Sequence, residues 1–190
     1  MRDELICAGD DDEELRTRRL ALRTPTVADA PVIARHLSDY DVVSMLSRVP
    51  WPYEMEDAED FLREIASRPE NAIFAITLRE TGDLIGICGL HRAQNGRAEL
   101  GYWLAQDFWG AGYGTEAVQK LIDYGFEILK LGRIDVSCRV VNDASRHLIR
   151  KCGFAFVGPG MIESLASGRV ASEHYMLDKC SWRSIRMWGR

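Results

Sequence analysis

The chain contains no apolar run approaching the roughly 20 residues that span a bilayer, so no transmembrane helix is expected. Its opening, Met1-Arg2-Asp3-Glu4-Leu5-Ile6-Cys7, is too polar for a secretory signal, which points to a cytoplasmic protein. No C-x-x-C pair is present. The five cysteines (Cys7, Cys88, Cys138, Cys152 and Cys180) are odd in number and widely spaced. They read as reduced thiols rather than a disulfide framework or a zinc site. An excess of basic residues is also missing, and the net charge of -5 argues against general nucleic-acid binding. Four histidines, His36, His91, His147 and His174, show no metal or triad spacing. Neither an internal repeat nor a low-complexity segment interrupts the chain.

What remains is ordinary globular material. With 190 residues, 46% hydrophobic and 28% charged, the chain is most simply one domain with a sizeable core. The ends differ from the middle. Asp10-Asp11-Asp12-Glu13-Glu14 followed by Arg16, Arg18 and Arg19 is a pattern expected for a solvated polar arm, placed at residues 1–18. Residues 181–190 form a tail rich in Trp182, Trp188, Arg183, Arg186 and Arg190, which either packs back on the domain, meets a second subunit or stays free. The domain proper is placed at 19–180.

Hydrophobic periodicity then orders the elements. Leu20–Arg23 reads as a strand stopped by Pro25, and Thr26 or Asp29 caps a first helix reaching about Tyr40. A second amphipathic helix runs from about Met55 to Ser67. Two apolar runs, 72–76 and 84–90, flank Glu80-Thr81-Gly82-Asp83 as a hairpin, and Gln94-Asn95-Gly96 turns the chain into a strand ending at Leu104. A long helix follows the glycine-rich stretch and stops at Gly132. Ile134–Val140 alternates as a half-buried strand, and Asn142 caps a helix to Cys152. Strands 154–157 and 170–177 close the set, with Gly158-Pro159-Gly160 expected between them. The order β-α-α-β-β-β-α-β-α-β-β implies an α+β fold, a mixed sheet flanked by helices.

The chemistry concentrates in Asp107-Phe108-Trp109-Gly110-Ala111-Gly112-Tyr113-Gly114-Thr115-Glu116. Three alternate glycines let a ligand approach the backbone, and the next helix presents unpaired N–H groups at its positive end. That is an anion site, most naturally for a pyrophosphate. A P-loop would need a lysine after Gly114, where Thr115 stands. A dinucleotide fingerprint would need G-x-G-x-x-G in a first βα unit and an acid at a strand end, whereas the acid at that distance, Asp135, lies inside a strand.

Taken with Ala98-Glu99-Leu100-Gly101-Tyr102-Trp103-Leu104, Gly132-Arg133-Ile134, Asn142-Asp143-Ala144-Ser145 and Gly153-Phe154, the loop resembles the GNAT N-acetyltransferases, within them the RimJ/RimL-like branch. The resemblance covers about Leu20 to Leu177. It implies the GNAT acyl-CoA fold, a mostly antiparallel sheet in which the strand ending at Leu104 and the strand Ile134–Val140 run parallel and splay apart. It implies acetyl-CoA as co-substrate, with no metal. Trp109, Gly110, Ala111, Gly112, Tyr113, Gly114 and Thr115 would hold the pyrophosphate, with Trp109 in place of the usual Arg or Gln. Trp103, Leu104, Asn142 and Ser145 would line the pantetheine arm, and the main-chain N–H near Leu104 would hold the acetyl carbonyl.

By the same resemblance Glu99 is the expected proton acceptor and Ser145 the partner of the coenzyme sulfur. The tyrosine usual seven residues after the asparagine cap is replaced by Ile149. Tyr102 and Trp103 read as packing and cleft-wall residues, and Cys138 as a nucleophile without a neighbouring base. The acceptor is expected to be a primary amine, either a protein N-terminus of ribosomal-protein type or a small molecule such as a polyamine, amino acid or antibiotic. A non-catalytic acyl-CoA sensor is the rival reading. Asp39, Asp41, Trp51, Tyr53, Glu54, Glu56 and Asp57 are expected on the acceptor side. No nucleic acid or membrane partner is expected, and the chain would work as a monomer or homodimer.

Overall fold

The structure is a computed structural model that describes residues 14–92 and 95–188. The acidic run Asp10 to Glu13, Gln94 and Arg190 lie outside the described residues, as does the side chain of Trp188. Eight strands are described: β1 (Leu15–Arg16), β2 (Leu20–Arg23), β3 (Ala72–Leu78), β4 (Leu84–Arg92), β5 (Arg97–Leu104), β6 (Arg133–Arg139), β7 (Ala155–Ser164) and β8 (Gly168–Asp178). The helices are α1 (Ala30–Leu37), α2 (Tyr40–Val43), α3 (Met55–Ser67), α4 (Tyr113–Glu127), α5 (Asp143–Lys151) and α6 (Lys179–Trp188).

Local chemistry explains the helix starts. Pro31 falls in the first turn of α1, where its missing N–H costs nothing. The Asp29 carboxylate before it accepts from the Thr26 amide at 2.7 Å and from Arg23 at 2.6 and 2.8 Å. The Glu54 amide donates to Asp57 at the start of α3. The Asn142 side chain accepts from the Ser145 amide at 2.9 Å and starts α5.

The sheet order is β1-β2-β3-β4-β5-β6-β8-β7, and β5–β6 is its parallel pair. Helix α4 is the crossover that a parallel connection requires. One face carries α4 and α5 over a core that includes Leu90, Leu100, Leu121, Phe126, Ile134 and Tyr175. The other carries α1, α2 and α3 over Ile33, Leu37, Leu62, Ile73 and Ile87.

The β5–β6 pairing is short. It runs through Arg97↔Arg133, Ala98↔Ile134 and Glu99↔Asp135 and stops. Beyond it β5 stays with β4 as far as Gly86↔Leu104, and β6 stays with β8 as far as Arg139↔Ser172. Each strand follows its outer partner, so the sheet forks after Glu99. The expected splayed pair is therefore present, with its opening located to one residue.

Two expectations change, and the C-terminal tail takes the first of its open alternatives. The sheet begins at Leu15, which pairs with Leu22, inside the stretch read as a polar arm. Gly158-Pro159-Gly160 is no connection: β7 runs through it to Ser164, with a register shift between Phe156 and Gly158. A proline is tolerated there because β7 is the sheet's last strand. The C-terminal tail enters α6 and packs on α4, where the Trp182 indole donates to Asp123 at 2.9 Å and stacks near Phe126.

The fork depends on how closely β4 and β5 approach. A Cβ on Gly86 would sit 2.2 Å from the Trp103 carbonyl oxygen, a backbone atom that cannot rotate away. Gly86→Ala should therefore push β5 off β4 and destabilise the domain by about 1–3 kcal/mol or more, measured by chemical denaturation.

Candidate active site at the fork

A cavity of about 950 Å³ passes through the fork and joins the two faces of the sheet. Its rim on the α4 side includes Gly110, Gly112, Tyr113, Gly114, Thr115, Asn142, Ser145 and Lys151. Its walls on the other side include Val42, Leu46, Arg48, Phe61, His91, Glu99 and Trp103. Between them, the edges of Gly101–Leu104 and of Ser137–Arg139 face each other without being paired to one another. Their N–H and C=O groups suit an extended ligand that inserts as an added strand.

The glycine loop has the geometry of an anion cradle. Gly112 is the N-cap of α4 with φ +81°, and Gly110 has φ +73°. Nothing lies within 4 Å of where a Cβ on Gly110 would be, so its backbone is open to a ligand. The helix begins at Tyr113, one residue before Gly114, and its first-turn amides sit at the positive end of 15 residues of aligned dipoles. The Trp109 indole donates to the Leu104 carbonyl at 2.8 Å and ties the loop to the end of β5.

Arg19 was invisible as a site residue in the sequence. It reaches from the β1–β2 corner, donates to the Ala111 carbonyl at 2.9 Å and lies over the Tyr113 ring at 4.3 Å. Its Nη2 would meet a Cβ on Gly112 at 3.4 Å, which sets a cation directly beside the cradle. Glu116 holds it there, accepting from Arg19 Nε (2.7 Å), the Arg19 amide (2.8 Å) and Thr17 (2.6 Å). Burial raises the Glu116 carboxyl pKa, but these hydrogen bonds and the guanidinium together outweigh it and leave the pKa below the ordinary value. The arginines near the N-terminus read as solvated, since only the fold shows that β1 returns to the start of α4.

At the throat of the fork, the Tyr102 hydroxyl lies 2.8 Å from Ser145 Oγ. Burial pushes the Tyr102 phenol well up, so it stays protonated. Either hydroxyl can be the donor, and the contact fixes the position of Ser145 Oγ at the throat. Periodicity marked Tyr102 as packing, which is true of its ring; the hydroxyl contact joins residues 43 apart and carries no sequence signal. Cys138 also faces Ser145, and burial raises its thiol pKa, which disfavours the thiolate a nucleophile needs. Trp103 sends its ring to the opposite face, where it meets His36 edge-on, so the α4 side of the fork receives only its backbone.

On that opposite face Glu99 projects toward the cavity, and Arg48 Nη2 sits 3.0 Å from its Oε2. His91 is its cross-strand partner on β4. Burial first, and the Arg48 charge second, hold His91 below the usual histidine range, so it is neutral at pH 7. Ser137 and His174, beside the fork on β6 and β8, are joined at 2.7 Å. The residues expected to wall this side do not line the cavity. Asp39 caps α2, Asp57 caps α3 and Tyr53 is buried in the second core. The carboxylates of Asp39 and Asp57 serve the helix starts, and the wall is made instead by apolar side chains together with Arg48, His91 and Glu99. No cluster able to hold a metal ion occurs among the described residues, and no helix among them is long and apolar enough to cross a membrane.

The acetyltransferase (GNAT) domain model matches residues 19–155. The chain is 36% identical over 163 residues to the uncharacterised N-acetyltransferase p20 of Bacillus licheniformis, covering 83% of this chain and 91% of that protein. It is 29% identical over 116 residues to the ribosomal-protein-serine acetyltransferase of Escherichia coli, covering 57% and 64% of the two chains. Among solved structures, the microcin C7 self-immunity acetyltransferase MccE in complex with acetyl-CoA and AMP has the same fold. It superposes with a TM-score of 0.73 at 22% identity, over 85% of this chain and 93% of that one.

If the cradle holds the coenzyme, a side chain at Gly112 is excluded twice, by its positive φ and by the ligand. Gly112→Val should weaken coenzyme A binding by at least about tenfold in titration calorimetry while the circular dichroism spectrum is kept.

Proposed function

The chain belongs to the GNAT acetyltransferase family, whose donor is acetyl-CoA, and from that premise we propose that it transfers the acetyl group directly to a primary amine in a ternary complex. The observation that carries this reading is one cavity passing through the fork, with a phosphate cradle at one mouth and Glu99 at the other. Donor and acceptor then approach from opposite faces and meet where β5 and β6 part.

The residues divide the work as follows. The Gly110–Thr115 backbone and Arg19 hold the pyrophosphate. The free strand edges bind the pantetheine arm, and an amide near Leu104 polarises the acetyl carbonyl. The amine nitrogen bonds to the carbonyl carbon as the carbon–sulfur bond breaks. Glu99 accepts the amine proton, and neutral His91 beside it provides a second basic group. Ser145, oriented by Tyr102, hydrogen-bonds the departing thiolate. Tyr102 thus stands in for the tyrosine that Ile149 replaces, from strand β5 instead of helix α5.

The acceptor cavity argues for an amine attached to an apolar group, in a peptide or a small molecule, rather than for a polyamine. Glu99 is the one carboxylate lining this side among the described residues, and Arg48 already covers it; Asp143, the cavity's other acid, belongs to α5. A polycation would meet too little negative charge.

Thiol release from acetyl-CoA across an amine and peptide panel tests the reading. Glu99→Gln should lose about 10²-fold or more in kcat with coenzyme A affinity retained, and unchanged turnover across the pH range would remove Glu99 from the mechanism. Tyr102→Phe should lower kcat about tenfold with little change in the KM for acetyl-CoA, because it releases the Ser145 hydroxyl without touching the cradle.

A further inference from the structure

We propose that the acceptor is a free α-amino acid with a large apolar side chain, which binds by exchanging partners with the Arg48–Glu99 ion pair. This rests on the transferase reading above and names the substrate class for it. The pair stands 3.0 Å apart inside the acceptor half of the cavity, with side-chain exposures of 67% and 49%. An ion pair this open to solvent is held weakly, so exchanging it costs little.

The charge balance identifies the occupant. An ammonium that reaches Glu99 displaces Arg48, and the freed guanidinium remains in the same cavity as an uncompensated cation next to the reacting amine. A simple amine or a polyamine leaves that repulsion in place. An acceptor bearing its own carboxylate removes it, because one guanidinium can take a carboxylate through two parallel hydrogen bonds. The partners to be bridged are in contact with each other, so the acceptor's two charges must also be adjacent, as they are across the single carbon of an α-amino acid. A peptide N-terminus has no carboxylate at that position. His91, neutral and cross-strand from Glu99, adds no charge to the balance.

The remaining wall specifies the side chain. Val42, Met45, Leu46, Val49, Phe61 and Trp103 line the cavity around the pair. Arg48 sits in the loop between α2 and α3 that brings several of them, so the carboxylate clamp and the apolar wall come from one segment. The ammonium loses its proton to Glu99 before attack, and the products are the N-acetyl amino acid and coenzyme A.

The test compares acceptors that differ in the carboxylate alone: L-phenylalanine, L-phenylalaninamide and phenethylamine. L-methionine, spermidine and a phenylalanine-initiated tetrapeptide complete the panel, and thiol release from acetyl-CoA is the readout. L-phenylalanine should exceed its amide and phenethylamine by at least about tenfold in kcat/KM. Arg48→Gln should collapse that preference toward one, mainly through KM, and Arg48→Lys should restore part of it. Equal turnover of phenylalanine and phenethylamine, or a preference that survives Arg48→Gln, would overturn the proposal. Turnover of the peptide or spermidine without turnover of amino acids overturns this inference alone and leaves the transferase reading standing. No thiol release with any acceptor sinks both.

Discussion

Everything functional in this protein depends on where one backbone ladder stops. Strands β5 and β6 share three register pairs and part after Glu99↔Asp135, because each continues on its outer neighbour. Parting leaves two strand edges whose polar groups must find partners, and it opens a passage through an otherwise continuous sheet. The same event places Glu99 at the last paired position, so Glu99 and the opening of the cavity share one origin. Residue alternation then sorts the side chains: Tyr102 and Leu104 face α4 and α5, while Glu99 and Trp103 face the opposite side of the sheet.

The fork holds open because each of its arms is anchored. Gly86 lets β4 and β5 approach until a Cβ would overlap the Trp103 carbonyl, which pins β5 to the first half of the sheet. Trp109 ties the glycine loop to Leu104, and Glu116 ties the start of α4 to Arg19 and Thr17 on the N-terminal corner. The cradle is therefore braced on two sides by groups outside it. It combines helix-terminal amides with one guanidinium whose position an acid fixes, the donor set that suits an anion.

Much of this was legible in one dimension. Strand alternation in 134–140, the helical spacing after Gly114 and the Asn142 cap all reappear as β6, α4 and α5. Local patterns such as these are set by short-range sterics and by burial of one face. Errors fell where a local cue competed with pairing. Gly158-Pro159-Gly160 has turn chemistry, yet the β8 ladder carries the strand through it at a sheet edge that needs no further donor. The acids at the starts of α2 and α3 were expected on the acceptor side, but Asp39 and Asp57 accept from backbone amides at those helix starts.

The glycine loop and its flanking motifs marked the family from the sequence, and the family implies the acetyl-CoA donor, because a glycine-rich loop is built from consecutive residues. The acceptor side is assembled from α2, the loop before α3, β4 and β5, segments tens of residues apart whose meeting no pattern encodes. Only the tertiary structure brought Tyr102 to Ser145, Arg19 to Gly112 and Arg48 to Glu99. The glycine loop is local along the chain and so could be read there, whereas the Arg19 guanidinium beside it could not. Acceptor recognition depends on contacts between segments far apart in the sequence, and folding alone decides it.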